Sequence, residues 1–142
     1  MKKIGILLLT LILASCGVSS TKSSVNKPLF EVLTQQNDGG ASIRFYEILT
    51  EEKEIGMLEN DEHLWKKISA NDIQTSNFII LNMGEKSTGG YKIEVESALE
   101  TDKNIIITVK ETIPEPNTVS SQVYTYPYSV VKINSKKEII IK

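Results

Sequence analysis

The chain has 142 residues, one Cys, one His and a formal charge of −2, with 16 basic against 18 acidic side chains. That length suits a single domain with a tether. No basic stripe is present, so the electrostatics exclude nucleic acid as a natural partner.

The first residues have the form of an export signal. Met1-Lys2-Lys3 is a positive n-region, and residues 4–13 are an almost unbroken apolar run too short to span a bilayer. Leu13-Ala14-Ser15-Cys16 follows, small residues leading to the sole Cys. This tetrapeptide resembles the lipobox of bacterial lipoproteins. The resemblance implies cleavage before Cys16, acylation of that Cys, and a palmitate-type membrane anchor in the cell envelope. Cys16 has no partner for an intrachain disulfide. Lys2 and Lys3 would leave with the signal, taking the charge from −2 to −4. Residues 1–15 are therefore assigned to the signal, 16–28 to a flexible tether and 29–142 to a β-rich domain. The tether is rich in Ser, Thr and Lys and has too little apolar surface to offset its ordering entropy.

Within the domain, residues 29–33 are predicted as a first strand, closed by a dense turn signal over 35–40. Residues 42–49 are predicted as a second strand. A charged connection over 50–54 and a short strand over 55–58 follow. Residues 60–68 have the pattern of the single helix: Asn60 can cap it, Asp61 and Glu62 sit at its positive end, and Lys66 and Lys67 sit near its negative end. Leu64, Trp65 and Ile68 would share its buried side. Residues 71–77 are polar and predicted as a loop. Residues 78–83 are continuously apolar, as in a strand buried on both faces at the centre of a sheet.

Residues 84–91, Gly-Glu-Lys-Ser-Thr-Gly-Gly-Tyr, join that strand to one in which Tyr91, Ile93 and Val95 alternate with Lys92, Glu94 and Glu96. A turn over 100–103 leads to a hairpin partner over 105–109. Pro114 and Pro116 break the pattern, because prolines do not sit in central strands. Strands over 119–126, 129–133 and 138–141 complete the chain, with a bend at Pro127 and a turn over 134–137. The sum is an α+β fold, mostly antiparallel β, as one sheet or a β-sandwich with a single short helix.

The 84–91 loop has a superficial likeness to a phosphate loop, with four residues between Gly84 and Gly89. Gly90 and Tyr91 stand where Lys and Ser/Thr would be required, and a strand follows where a helix N-terminus is needed. No nucleotide is expected. The arrangement instead resembles the PrcB C-terminal family of exported lipoproteins. The matching pattern is an apolar strand, then Gly84-x-x-x-Thr88-Gly89-Gly90-Tyr91, then an alternating strand. A loop with Ile113-Pro114-Glu115-Pro116, a Thr125-Tyr126-Pro127-Tyr128 segment and an upstream Leu64-Trp65 complete it. The likeness covers roughly residues 60–133, with Asn77 where the family often carries an acidic residue. It implies a role in assembling or stabilising an exported protease, without catalysis by the domain itself. A fainter likeness links Thr88, Gly89 and Tyr91 to the loop of chagasin-type inhibitors of cysteine peptidases.

Candidate partner-binding residues are Lys86, Ser87, Thr88, Gly89, Gly90 and Tyr91, with Tyr126, Pro127 and Tyr128 as a second patch. A purely steric role for the glycines, and a core role for Tyr91, stand beside that reading. Tyr124, Tyr126 and Tyr128 alternate and could equally be cross-strand packing residues. His63 lacks the His or Cys neighbours of a zinc site, and no Gly-x-Ser-x-Gly elbow exists for a triad. The expectation is a non-enzymatic, lipid-anchored binding module without cofactor or metal. The alternatives are a chagasin-like inhibitor and an envelope component without a dedicated ligand.

Overall fold

A computed structural model describes residues 27–142; the signal segment, Cys16 and residues 17–26 of the tether lie outside the described residues. In chain order the elements are β1 (Phe30–Gln36), β2 (Arg44–Leu49), α1 (Glu52–Met57), α2 (Ala70–Thr75), β3 (Asn77–Met83), β4 (Lys92–Glu100), β5 (Asn104–Thr112), β6 (Tyr128–Ile133) and β7 (Glu138–Ile141). Four strands form one sheet in the order β1-β6-β3-β2, and three form another in the order β4-β5-β7. The mostly antiparallel β character expected from the sequence is what the chain adopts.

The continuous apolar run of β3 has its expected place. It lies inside the four-stranded sheet, paired antiparallel with β2 on one side and β6 on the other. Its side chains alternate between two cores, which explains why the run shows no polar face. Ile79, Leu81 and Met83 pack with Val131 and Ile133 against Ile93, Val95, Ile105, Ile107 and Ile139 of the second sheet. Phe78 and, less deeply, Ile80 face a second core with Leu33, Leu49, Ile55, Leu58, Leu64 and Val130. The result is a two-sheet sandwich with a thin helical layer on the outer face of its larger sheet.

That helical layer departs from the sequence expectation. Residues 60–68 form no helix but a 3-10 turn, Leu58–Asn60, followed by a chain of turns. Asp61 is extended, its carboxylate accepts from the His63 amide at 2.8 Å, and Leu64 and Lys67 each donate back only three residues. Lys66 then takes a φ of 60°, which ends any helical course. Leu64 and Ile68 are buried as anticipated, but Trp65 is 67% exposed, so the three share no face.

The helices lie on either side instead. The predicted strand at 55–58 is instead the end of α1 and the first residue of the 3-10 turn, and Glu51 and Glu54 form a reciprocal capping box at the start of α1. The predicted loop at 71–77 is replaced by α2 and the start of β3. There the Asp72 amide donates to Ser69 Oγ at 3.2 Å, and Asp72 Oδ2 accepts from the Ser69 amide at 3.0 Å. A capping box starts a helix in both places, against the strand expected at the first and the loop expected at the second.

One further correction concerns the C-terminal third. The predicted strand over 119–126 is absent, and residues 113–127 run as an irregular loop containing an isolated bridge between Lys86 and Thr125. Pro114 and Pro116 remove donors, and Asn117 turns the chain with a φ of 76°. The last strand, β7, pairs with β5 in parallel, the one parallel pair among the described strands. The tight turn after β6, held by Ser135 N donating to Ile133 O at 2.7 Å, sends the chain across to the other sheet.

Candidate functional site

The 84–91 loop leaves the end of β3 through Gly84, whose φ of +77° a side chain rarely adopts. A Cβ there would also lie 2.9 Å from the Arg44 amide nitrogen. Glu85 N then donates to Ser42 O at 2.9 Å, tying the loop to the 39–43 turn. That turn is itself organised by Asn82, which is 1% exposed. Its Oδ1 accepts from Ala41 N at 2.9 Å, and its Nδ2 donates to Ala41 O at 2.9 Å and Ile43 O at 2.5 Å.

The other side of the loop is bound to residues 121–127. Lys86 and Thr125 exchange backbone hydrogen bonds of 2.9 Å, and Gly89 N donates to Ser121 O at 3.0 Å. Thr125 Oγ1 donates to Thr88 O at 2.9 Å, and the Tyr126 hydroxyl donates to Glu85 Oε2 at 2.8 Å. The bond to Glu85 holds the Tyr126 phenol above its ordinary pKa, with nearby carboxylates acting in the same direction. Pro114 closes the far side: a Cβ on Gly90 would lie 3.0 Å from its Cβ, and Gly90 has a φ of +91°. The two candidate patches thus meet at one end of the sandwich, stitched by main-chain bonds that fix their relative position.

Exposure divides the predicted residues. Ser87 and Gly90 are exposed; Lys86, Thr88, Gly89, Tyr91 and Tyr126 are half-buried; Pro127 and Tyr128 are buried. Tyr128 points into the helical-side core, where its hydroxyl donates to Asp61 at 3.2 Å. Burial, then the Asp61 charge, pushes its phenol up to about 12. Tyr124 is 61% exposed, so the three alternating tyrosines do not share a face, as the missing strand requires. Tyr91 packs against the inter-sheet core, with Lys86 Nζ 5.5 Å from its ring centre.

The sequence reading missed the aliphatic side chains that surround this end. Ile43, Ile113, Val119 and Val123 are all exposed, as is Tyr124. Ile43 has its backbone beside Gly84, and the others lie within a few residues of Pro114, Ser121 or Thr125, whose contacts hold the loop. For Ile113, Val119 and Val123 the available signal was apolar residues flanking Pro114 and Pro116, where a regular strand is interrupted. Beside the loop, Glu111 accepts from Arg44 Nε at 2.8 Å and from the Tyr46 hydroxyl at 2.9 Å. Burial alone would raise the Glu111 pKa, but these two donors hold it below the usual carboxylate range. His63 lies elsewhere, exposed, and among the described residues no group of three or more His, Cys, Asp or Glu side chains could hold a metal ion.

An end of this kind offers shape and apolar contact rather than bond-making groups. Its accessible side chains are aliphatic, aromatic and hydroxyl, with the charged Glu85 and Lys86 beside them, carried on a backbone that is hydrogen-bonded from both flanks. Residues 77–134 match the family model described as PrcB C-terminal. The match runs from the start of β3 through the loop, the β4–β5 hairpin and residues 113–127 to just beyond β6, so it contains the loop and its 121–127 partner but not the 39–43 turn. Leu64-Trp65 falls outside it. No curated protein and no solved structure matches the chain.

Proposed function

We propose, on the premise that residues 77–134 carry a PrcB C-terminal segment, that this chain is an exported, lipid-anchored, non-catalytic module. It holds a partner protein of the cell envelope, foremost a protease, through the end built by residues 84–91 and 113–126. The observation that carries the reading is the stitching of the loop to residues 121–126 by four backbone and side-chain bonds among Lys86, Thr88, Gly89, Ser121 and Thr125. Ordering is settled before any partner arrives, so binding there would not have to freeze a mobile loop. The exposed apolar side chains at the same end supply the contact area that interfaces use.

Recovery from solubilised membranes tests this directly. The wild-type chain should bring down one dominant exported partner, and Gly90→Asp should lose it, because φ +91° and Pro114 leave no room for a side chain. Ser87→Arg, at the exposed tip, should weaken recovery without altering the melting curve, which separates contact from folding. Recovery of no partner by the wild-type chain counts against the proposal. Inhibition of a papain-like peptidase by the purified chain would move the assignment to the inhibitor class.

The anchor is tested separately. Cys16→Ser should abolish acylation and leave the precursor uncleaved or the chain released from the membrane. A normally matured, membrane-bound Cys16→Ser chain would contradict the lipobox reading.

A further inference from the structure

The two sheets have four outer strands, and three are guarded against pairing with another chain. β1 carries a bulge between Val32 and Thr34, β4 carries one between Val95 and Ser97, and β7 has only four residues. Bulges and short length are the usual protections of an exposed edge. β2 has neither. Its six residues pair with β3 in unbroken register from Arg44↔Met83 to Leu49↔Phe78, and it contains no proline. Among the described residues no strand covers its other side.

Beside that edge lies a cavity of about 250 Å3 between β2–β3 and α1. Its floor is apolar, from Leu49, Met57, Leu58 and Ile80, and Glu47 and Glu54 supply its carboxylates. Among the described residues neither carboxylate has a cation within salt-bridge distance. Glu54 uses Oε2 to accept from the amides of Thr50 and Glu51, which fixes it in place. Glu47 and Leu49 are two apart on the edge strand, so they share the face that borders the cavity. A strand added alongside β2 would run about 4.8 Å away, and its alternate side chains would fall on this same face.

We propose that the free edge of β2 and the cavity beside it form a strand-addition site for an extended segment of a partner protein that presents a Lys or Arg to the cavity. The backbone of the segment would pair with β2. The aliphatic stem of its basic side chain would lie on Leu49 and Met57, and its cation would reach Glu47 and Glu54. Two carboxylates on an apolar floor disfavour an acidic side chain there by repulsion and desolvation. This site is separate from the 84–91 loop and stands whether or not that loop holds a partner.

The test uses the mature chain and an end-blocked, fluorescein-labelled peptide, Ser-Val-Thr-Val-Lys-Val-Thr-Val-Ser, in a polarisation titration. Saturable binding is expected below about 1 mM. Replacing the peptide Lys by Glu, or N-methylating alternate backbone amides on the pairing side, should weaken it about tenfold or more. Glu47→Gln should weaken it about fivefold, and Met57→Ala, at a position already exposed, should weaken it while the chain stays folded. Ser87→Arg should leave it unchanged. Absence of binding at about 1 mM, or equal binding of the Lys and Glu peptides, overturns the proposal. Sedimentation of the chain as a dimer that the peptide cannot dissociate would give the edge to a second copy and overturn it as well.

Discussion

Asn82→Ala is expected to lower the unfolding free energy by about 3 kcal/mol or more, since each buried polar group left without its partner costs about 1–3 kcal/mol. Asn82 sits near the end of β3 at 1% exposure and serves two carbonyls and one amide of the 39–43 turn. Alanine removes all three bonds and leaves Ala41 and Ile43 main-chain groups to find water at a crowded site. Crowding is shown by Gly40, where a Cβ would lie 2.2 Å from Asn82 Oδ1 and 2.7 Å from Tyr126 O. Asn82→Asp should be no better, because a carboxylate would face the carbonyls that now accept from Nδ2. Because the same turn accepts from Glu85 through Ser42 O, partner recovery should fall together with stability. Chemical denaturation of both variants measures the effect. A loss below about 0.5 kcal/mol, the range of an ordinary surface substitution, would contradict this account of the turn.

The second large effect is expected at Lys132, on the interior strand β6 and 6% exposed. Its Nζ lies 2.9 Å from Glu31 Oε2 and 3.3 Å from Asp72 Oδ1, so one buried cation ties β1 and α2 to the sheet centre. Removing the cation leaves the buried Asp72 carboxylate with only the exposed Lys27 Nζ at 3.7 Å, and Lys132→Ala should cost about 3 kcal/mol. Glu31→Gln should cost less, because the Glu31 side chain is half exposed. Pairing Lys132→Met with Asp72→Asn should recover much of the loss, since a neutral arrangement of similar volume avoids the stranded charge.

The pH dependence has a definite sign. Burial alone would raise the Asp72 pKa, but hydrogen bonds from Ser69 and from Lys132 outweigh it and hold the carboxyl below its ordinary value. A carboxyl with a depressed folded-state pKa binds fewer protons when native. Its contribution is therefore complete above the unfolded pKa of about 4 and is lost as pH falls through the lower, folded value. Stability should decline on acidification below about pH 5, and the wild-type and Lys132→Ala curves should converge there. Parallel curves down to about pH 2 would remove Asp72 from the linkage.

These two residues mark the boundary of what the sequence discloses. Residues 78–83 are apolar enough to announce an interior strand, and the alternation of Ile93 and Val95 with Lys92 and Glu94 announces a half-buried one. Both appear where expected. Asn82 is hidden inside the first pattern and Lys132 inside a similar run, Ser129-Val130-Val131-Lys132-Ile133. A buried polar side chain is specified by partners far away in the chain, at Ala41 and Ile43 for one and at Glu31 and Asp72 for the other. Local pattern carries no trace of them.

The helical layer failed to be legible for a different reason. Residues 60–68 have the charges and apolar spacing of a helix, yet the carboxylate of Asp61 captures the His63 amide and Lys66 turns left-handed. Short-range side-chain bonds won over periodicity there, while capping boxes at Glu51 and Ser69 placed helices on the flanks. At the candidate site, the glycine loop and the Thr125–Tyr126 segment were each visible in the sequence. Their union was not, because it rests on an isolated bridge between residues 39 positions apart. The exposure of Tyr124 goes with the absent strand over 119–126, whereas Tyr128 is buried because it opens β6, paired between β1 and β3.

Photo-crosslinking in intact cells tests the central claim most directly, with a photoreactive residue placed singly at Ser87, at Tyr124 or at Glu138. The first two lie on the stitched end, and Glu138 is exposed at the start of β7. The account predicts one shared envelope-protein adduct from Ser87 and Tyr124 and none of that species from Glu138. The same adduct from all three positions, or none from Ser87 and Tyr124, would contradict it.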